Sequence, residues 1–323
     1  MKLRAGLSPR LGLLLLSALW ALDWLVPDLF PGSAPNVFSL PARQAILFSA
    51  FAVVTASLAL MQRIQFRRVQ FPRGRLAWAS AGIGLGFFVI PTSAAAFARD
   101  RISSLDAAAV FCLTPVFAVV LEPYLQDCSP RKGRAALAGA LVAIAGILFL
   151  FPLETPSSWR EAVALLVLLV TAFGIAATNC VAVRLAHVVP SESTLPMTAM
   201  ASGVSAIGFA LAAAFTPNTP WNSTALQIFF LRSFLIDIPG LFLLFWLIRR
   251  LSASRMTARF LLAPLLASLA GLALERTWPP LRGLFGLVLL ACGSGWLVFA
   301  PAESQDEEQN PLFQRQPDPK TLS

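Results

Sequence analysis

Between Leu11 and Phe299 the chain is a series of apolar runs, each roughly 20 residues long and separated by short polar or proline-bearing turns. Ten can be cut out, at 11–30, 43–61, 76–98, 105–125, 134–151, 160–183, 194–215, 226–248, 255–274 and 281–299. A helix of that length just spans the hydrocarbon core of a bilayer. In lipid only helices and closed barrels satisfy every backbone polar group internally. The pattern predicts an all-α integral membrane protein with ten transmembrane helices. Composition agrees, since 57% of residues are hydrophobic and 13% charged, against roughly 25% charged in a soluble domain. The start, "MKLRAGLSPRLGLLLLSALWA", imitates a secretory leader, but the apolar run continues past Ala21 and reads as the first span.

The net charge of +9 does not point to nucleic acid, because the basic residues sit in short clusters between the apolar runs. With the amino terminus inside, the inner turns carry sixteen of them: Lys2, Arg4, Arg10, Arg63, Arg67, Arg68, Arg73, Arg75, Arg131, Lys132, Arg134, Arg184, Arg249, Arg250, Arg255 and Arg259. The outer turns carry six: Arg43, Arg99, Arg101, Arg160, Arg276 and Arg282. That asymmetry predicts both termini cytoplasmic in a plasma (inner) membrane. Trp78, Trp159, Trp221 and Trp278 fall at span ends, where an aromatic belt would put them. The segment 302–323 is acidic and proline-containing and reads as a disordered cytoplasmic tail.

One segment is written twice. "RISSLDAAAVFCLTPVFA" (101–118) and "RLSASRMTARFLLAPLLA" (250–267) align without a gap and share seven residues, including Ser103/Ser252, Phe111/Phe260 and Pro115/Pro264. "GALVAIAG" (139–146) and "GLVLLACG" (286–293) then follow at similar distances, each with two glycines on one helix face. Five predicted spans separate the copies, and an odd number reverses direction. The chain is thus expected to hold two inverted five-helix halves, an architecture common among secondary transporters.

The polar start, the apolar run into a proline, the charged turn and the glycine-spaced helix resemble the EamA family of the drug/metabolite transporter superfamily, from about Leu11 to Phe299. Trp20 in "SALWALDW" is similar to the tryptophan of that family's first helix, and Arg43 in "PARQAILF" to the arginine opening its second. The glycine that usually follows the tryptophan is Ala21 here. For the acid after the proline helix, Glu122, Asp127 or neither could stand in the first half, and Glu275 is the better candidate in the second. The resemblance implies two EamA-type repeats, 1–152 and 153–301, and movement of a small metabolite by alternating access. The function expected is a secondary transporter, taken as an exporter, of an amino acid or an aromatic or cationic solute. The alternatives are a sugar-phosphate or nucleotide-sugar type of carrier, or a non-transporting scaffold of the same fold.

Charged and amide groups inside apolar runs are the candidates for binding or coupling, because a charge at mid-bilayer costs on the order of 3 kcal/mol. They are Asp23 between Trp20 and Trp24, with Arg43 as its expected counter-ion, Asn179, Arg232 and Asp237. Asp237 could line a cavity, binding substrate or exchanging protons, or form an interhelical salt bridge. Five residues apart on an α-helix, Arg232 and Asp237 would point about 140° apart. Pro91, Pro115, Pro239 and Pro264 are expected to kink their helices and shape gates, with Pro115 and Pro264 matched across the repeat and Thr114 placed to satisfy a freed carbonyl. Glu122 and Glu275 fall at span ends and read as caps or gate charges. The glycines of "GIGLG" (Gly82, Gly84, Gly86) fit close helix packing. No metal, cofactor or enzymatic constellation is expected: His187 is a lone histidine, the four cysteines are scattered, and no nucleotide-binding or nucleophile motif occurs.

Overall fold

The computed structural model describes residues 8–29, 40–66, 71–126, 130–152, 155–216, 223–275 and 279–299. Among them every regular element is a helix. They string into ten rods: α1 (Pro9–Leu29), α2 (Leu40–Phe66), α3 (75–98), α4 (104–126), α5 (Pro130–Leu150), α6 (Trp159–Val188), α7 (Thr194–Ala214), α8 (223–248), α9 (253–275) and α10 (Leu281–Phe299). Each of the ten apolar runs falls on one rod. Eight are long and apolar enough to cross a membrane, while α1 and α5 contribute shorter apolar stretches, Pro9–Leu22 and Arg134–Leu150. Ile64, Val170, Leu211 and Phe234 are exposed on the outside of the bundle. A surface of that kind suits lipid, and this is the build of a multi-pass membrane protein.

Several rods run past the apolar run that marks them. The second covers 40–66 instead of 43–61, and the sixth reaches Val188, because polar residues at a helix end still close backbone hydrogen bonds. Half of the apolar window of α6 is buried against 28% of that of α2. So α6 threads the middle and α2 lies at the rim. Inside the bundle the hydroxyls of Ser17, Thr55, Ser202, Ser205 and Ser294 each donate to the carbonyl one turn back on their own helix, which leaves the buried faces smooth enough to pack.

A close crossing joins α5 to α10. Gly139 lies against Gly293, and Gly146 against Gly286, so a Cβ on Gly146 would collide with the backbone of Gly286 and Leu290. The two glycine-spaced octapeptides of the sequence are thus each other's partners. Of the "GIGLG" glycines, Gly84 meets the backbone of Ala201 on α7 and Gly86 meets Thr178 on α6, whereas Gly82 faces open space. α2 packs along α7, α4 along α6, and α1 along α9.

The prolines act in two ways. Pro91 and Pro239 each stand second in an α-helical stretch that follows a five-residue π-helical turn, Leu85–Val89 in α3 and Ser233–Asp237 in α8. The wider turn shifts the ladder to i→i+5 bonds, Ile90 to Leu85 and Ile238 to Ser233, and so absorbs the missing proline N–H. These two prolines therefore match each other as Pro115 and Pro264 do. Pro115 frees the carbonyl of Phe111, which accepts from the Thr114 hydroxyl at 2.6 Å where α4 breaks between Phe111 and Thr114. Pro264 frees the carbonyl of Phe260, which accepts from the Cys112 thiol of the other copy at 3.1 Å. The expected kink at Pro264 itself is displaced: α9 breaks at Ala258, while α9 runs on as helix through Pro264.

Candidate functional site

A short helix, Ala253–Thr257, opens α9, and it folds the polar start of this segment inward: Ala253, Ser254, Met256 and Thr257 are all buried. The chain breaks at Ala258, and Arg259, the next residue, turns into the bundle with only 2% of its surface exposed. This corrects its place among the inner turn charges, of which fifteen then remain. Its Nη1 donates to the carbonyl of Met256 at 2.7 Å and to Oδ1 of Asn179 on α6 at 3.1 Å. The Asn179 amide is fixed in that sense because its Nδ2 donates to Ile175 O at 2.7 Å.

Three rings surround the guanidinium, with centroids 4.9 Å (Phe260), 5.2 Å (Trp20) and 5.8 Å (Phe87) away. Trp20 and Phe260 themselves meet edge to face at 5.7 Å. No carboxylate of a described residue lies within ion-pair distance of Arg259, and its buried Nε has no hydrogen-bond partner among them. Burying an ion costs several kcal/mol after relaxation. Cation–π contacts recover on the order of 1–2 kcal/mol each when desolvated, so this arrangement holds a cation that is only part-compensated. The gap-free register of the repeat puts Val110, a buried apolar residue, where the second copy has Arg259.

A second polar pair lies one helix over. Asp237, the last residue of the π turn of α8, pairs with Arg43 of α2 at 3.7 Å, both side chains being 17% exposed. Ser233 Oγ donates to Asp237 at 3.2 Å, and Arg43 also stands 5.4 Å from the Phe229 ring centroid. Arg43 is thus paired with Asp237, while the expected pairing of Arg43 with Asp23 involves a side chain outside the described residues. Asp23 and Trp24 lie on α1, but their side chains fall outside the described residues. The π turn also revises the spacing of Arg232 and Asp237. Its wider turn brings residues five apart closer in angle than the α-helical repeat would.

Trp20 links the two polar clusters. Its ring faces Arg259, and its Nε1 lies opposite Gly240, three residues beyond Asp237, where a Cβ would stand 3.9 Å away. Of the sequence candidates, Trp20 and Asn179 come together through Arg259, and Arg43 and Asp237 come together directly. Arg259, Phe87 and Gly240 were not among the candidates. The available signal was a charge six residues inside α9, facing a valine in the other copy.

One end of the bundle is laced by hydrogen bonds. Glu122 of α4 accepts from the backbone N–H groups of Ala253 (3.2 Å) and Ser254 (3.3 Å), so it caps the opening helix of α9. The first copy caps itself, Ser103 accepting from the Asp106 N–H at 3.0 Å. The second carries Arg255 at that register and borrows Glu122 instead. Glu275 has its side chain outside the described residues. Arg184 donates to Leu125 O, and Arg249 to Val189 O and Thr194 Oγ1. Burial lowers the Arg249 pKa from its usual value, and the Glu192 charge opposes that. Beside Arg249 is a cavity of about 30 Å³, lined by Ser80, Thr194, Thr198 and Phe245 among others, with room for a water or two. At the far end of α4 and α6 two open hollows, about 550 and 410 Å³, are lined by Asp100, Arg101, Trp159, Glu161 and neighbours.

Trp78 and Trp159 are exposed at rod ends as expected of belt residues, while Trp221 and Trp278 lie outside the described residues, as does Cys128. Cys112 and Cys180 are buried and Cys292 is exposed. No cluster of three metal-ligating side chains occurs among the described residues.

No family model and no curated protein matches the chain. A solved structure described only as "Crystal structure of protein" is similar over 92% of this chain and 100% of its own, with a TM-score of 0.69 and 19% identity. At that identity the likeness speaks for the fold.

Proposed function

We propose that the chain is a secondary transporter of the EamA type, moving a small organic solute across the plasma (inner) membrane by alternating access. It would have ten spans in two inverted halves and cytoplasmic termini. Support for two halves comes from the partner scheme. If the first five rods exchange with the last five, α2–α7 and α5–α10 map onto themselves, α4–α6 maps onto α1–α9, and the two proline pairs exchange as well.

The observation that carries the transport reading is the distribution of charge. Arg259 with Asn179, and Arg43 with Asp237, lie within the bundle on two sides of Trp20, while apolar side chains cover its outside. Charges kept inside a membrane bundle mark a solute or ion path by default. A sugar-phosphate or nucleotide-sugar carrier fits less well, because Asp237 already neutralises Arg43 and a phosphate dianion would meet one uncompensated cation. The test is counterflow in proteoliposomes loaded in turn with unlabelled organic acids, amino acids and amines, with the labelled solute added outside. Saturable exchange of at least one solute supports transport. Exchange no faster than in protein-free vesicles for every solute overturns it.

A further inference from the structure

We infer that Arg259 is an anion-recognition residue, and that its open guanidinium edge receives the carboxylate of a small organic acid whose apolar body lies against Trp20 and Phe260. This rests on the reading that a solute enters the bundle.

The donor count shows which edge is open. A guanidinium has five N–H groups, and both on Nη1 are spent, on Met256 O and Asn179 Oδ1. Asn179 cannot turn to offer a donor instead, since its amide is held by Ile175 O. Nε is buried without a partner, and Nη2 makes no hydrogen bond to any described residue. The Nε–Nη2 edge presents two parallel N–H bonds, the geometry that a carboxylate accepts in bidentate fashion. The cation has no carboxylate from a described residue beside it, so an arriving anion would displace no ionic partner.

The surroundings choose the rest of the ligand. Arg259 itself is buried, yet Trp20, Phe87 and Phe260 beside it are only half-buried. Each ring keeps part of its surface uncovered by protein. Rings offer apolar and stacking contact and no further acceptor, which favours a carbon skeleton next to the carboxylate and disfavours a second anionic group. A neutral amide of equal shape would leave the charge uncompensated, and an amine would be repelled by it.

The experiment measures equilibrium binding of phenylacetate, phenylacetamide and phenethylamine to the purified full chain in lipid nanodiscs, by calorimetry. Wild-type protein is expected to bind phenylacetate saturably, at least tenfold tighter than the amide, with no detectable binding of the amine. Arg259→Gln is expected to lose at least tenfold in phenylacetate affinity. Arg259→Lys, which keeps the charge but loses the fork, should fall between. The wild-type comparison of acid with amide decides the matter even if a variant does not fold. Equal or better binding of the amide or amine, no binding of phenylacetate, or a folded Arg259→Gln that binds it like wild type would each overturn the assignment. Selective phenylacetate binding without any counterflow would retain the recognition site and sink transport. Counterflow of solutes without carboxylate preference would do the reverse.

Discussion

The two copies of the proline-bearing segment share a skeleton and differ in content. Around Pro115 the first copy is dry. Val110 is buried, Phe111's carbonyl is satisfied by the adjacent Thr114, and the helix opening is capped by its own Ser103. Around Pro264 the second copy depends on the rest of the molecule. Its freed carbonyl takes a thiol from the first copy, its helix opening is capped by Glu122, and Arg259 replaces the valine. One copy is self-sufficient scaffold. The other is held by partners across the bundle, and it is the one that brings a cation to the centre. Duplication supplies a backbone twice, and a single changed register position supplies the chemistry once.

The sharpest way to break that contrast is to exchange its two central residues. Arg259→Gln is expected to reduce solute counterflow at least 100-fold while the protein stays monodisperse in size-exclusion chromatography. Val110→Arg places a charge at a buried apolar position, and a buried unpaired charge costs on the order of 3–5 kcal/mol. Loss of the monodisperse peak is therefore expected for that variant alone. Equal behaviour of the two would erase the difference between the copies.

Asp237→Asn comes next. It leaves Arg43 without its 3.7 Å partner and removes the one carboxylate paired within the described bundle. A roughly tenfold slower counterflow is expected, equivalent to about 1.4 kcal/mol of lost interaction. A wild-type rate would make the pair a packing bridge and nothing more.

The α5–α10 crossing joins one glycine-spaced octapeptide to the other, so it sharpens the comparison in a different way. Gly146→Leu and Gly293→Leu should each lower thermal stability by about 1–3 kcal/mol through forced separation of the backbones. Gly82→Ala, with open space at its Cβ position, should shift the melting temperature little or upward. The smallest effect is expected for Glu122→Gln, about 0.5–1 kcal/mol from a weakened cap. Ser103→Ala should cost a similar amount in the self-capped copy, and both are read by thermal denaturation in nanodiscs.

The fold was largely legible because apolar length is a blunt signal: a run of roughly 20 residues has few other uses. The glycine octapeptides were legible too, since only glycine lets backbones approach so closely. The π turns were not. "LGFFVIP" and "SFLIDIP" carry no mark of an extra residue per turn beyond the proline that requires it, so the Arg232–Asp237 geometry came out differently. Trp20 and Asn179 stood out as polar or large groups within apolar runs. Arg259 was hidden by its neighbours. "LSASRMTARF" looks wet, and a basic residue near a span end is counted with the loops. What turns it inward is the burial of Ser254 and Thr257 on a five-residue helix, a tertiary event with no local signature. The Arg43–Asp237 pair was not legible either, because α2 and α8 bring these two residues close only through folding.

The central claim is that the space between the Arg259 and Asp237 clusters opens to water from each side of the membrane in turn. Gly240 lies between them, with room for a side chain beside Trp20. Gly240→Cys, in a protein whose Cys112, Cys128, Cys180 and Cys292 are replaced by alanine, can be exposed to a membrane-impermeant thiol reagent from either face of sealed vesicles. Modification from both faces, slowed by a bound solute, is the expected result. A thiol that reacts from neither face, in protein that still folds, would contradict the account.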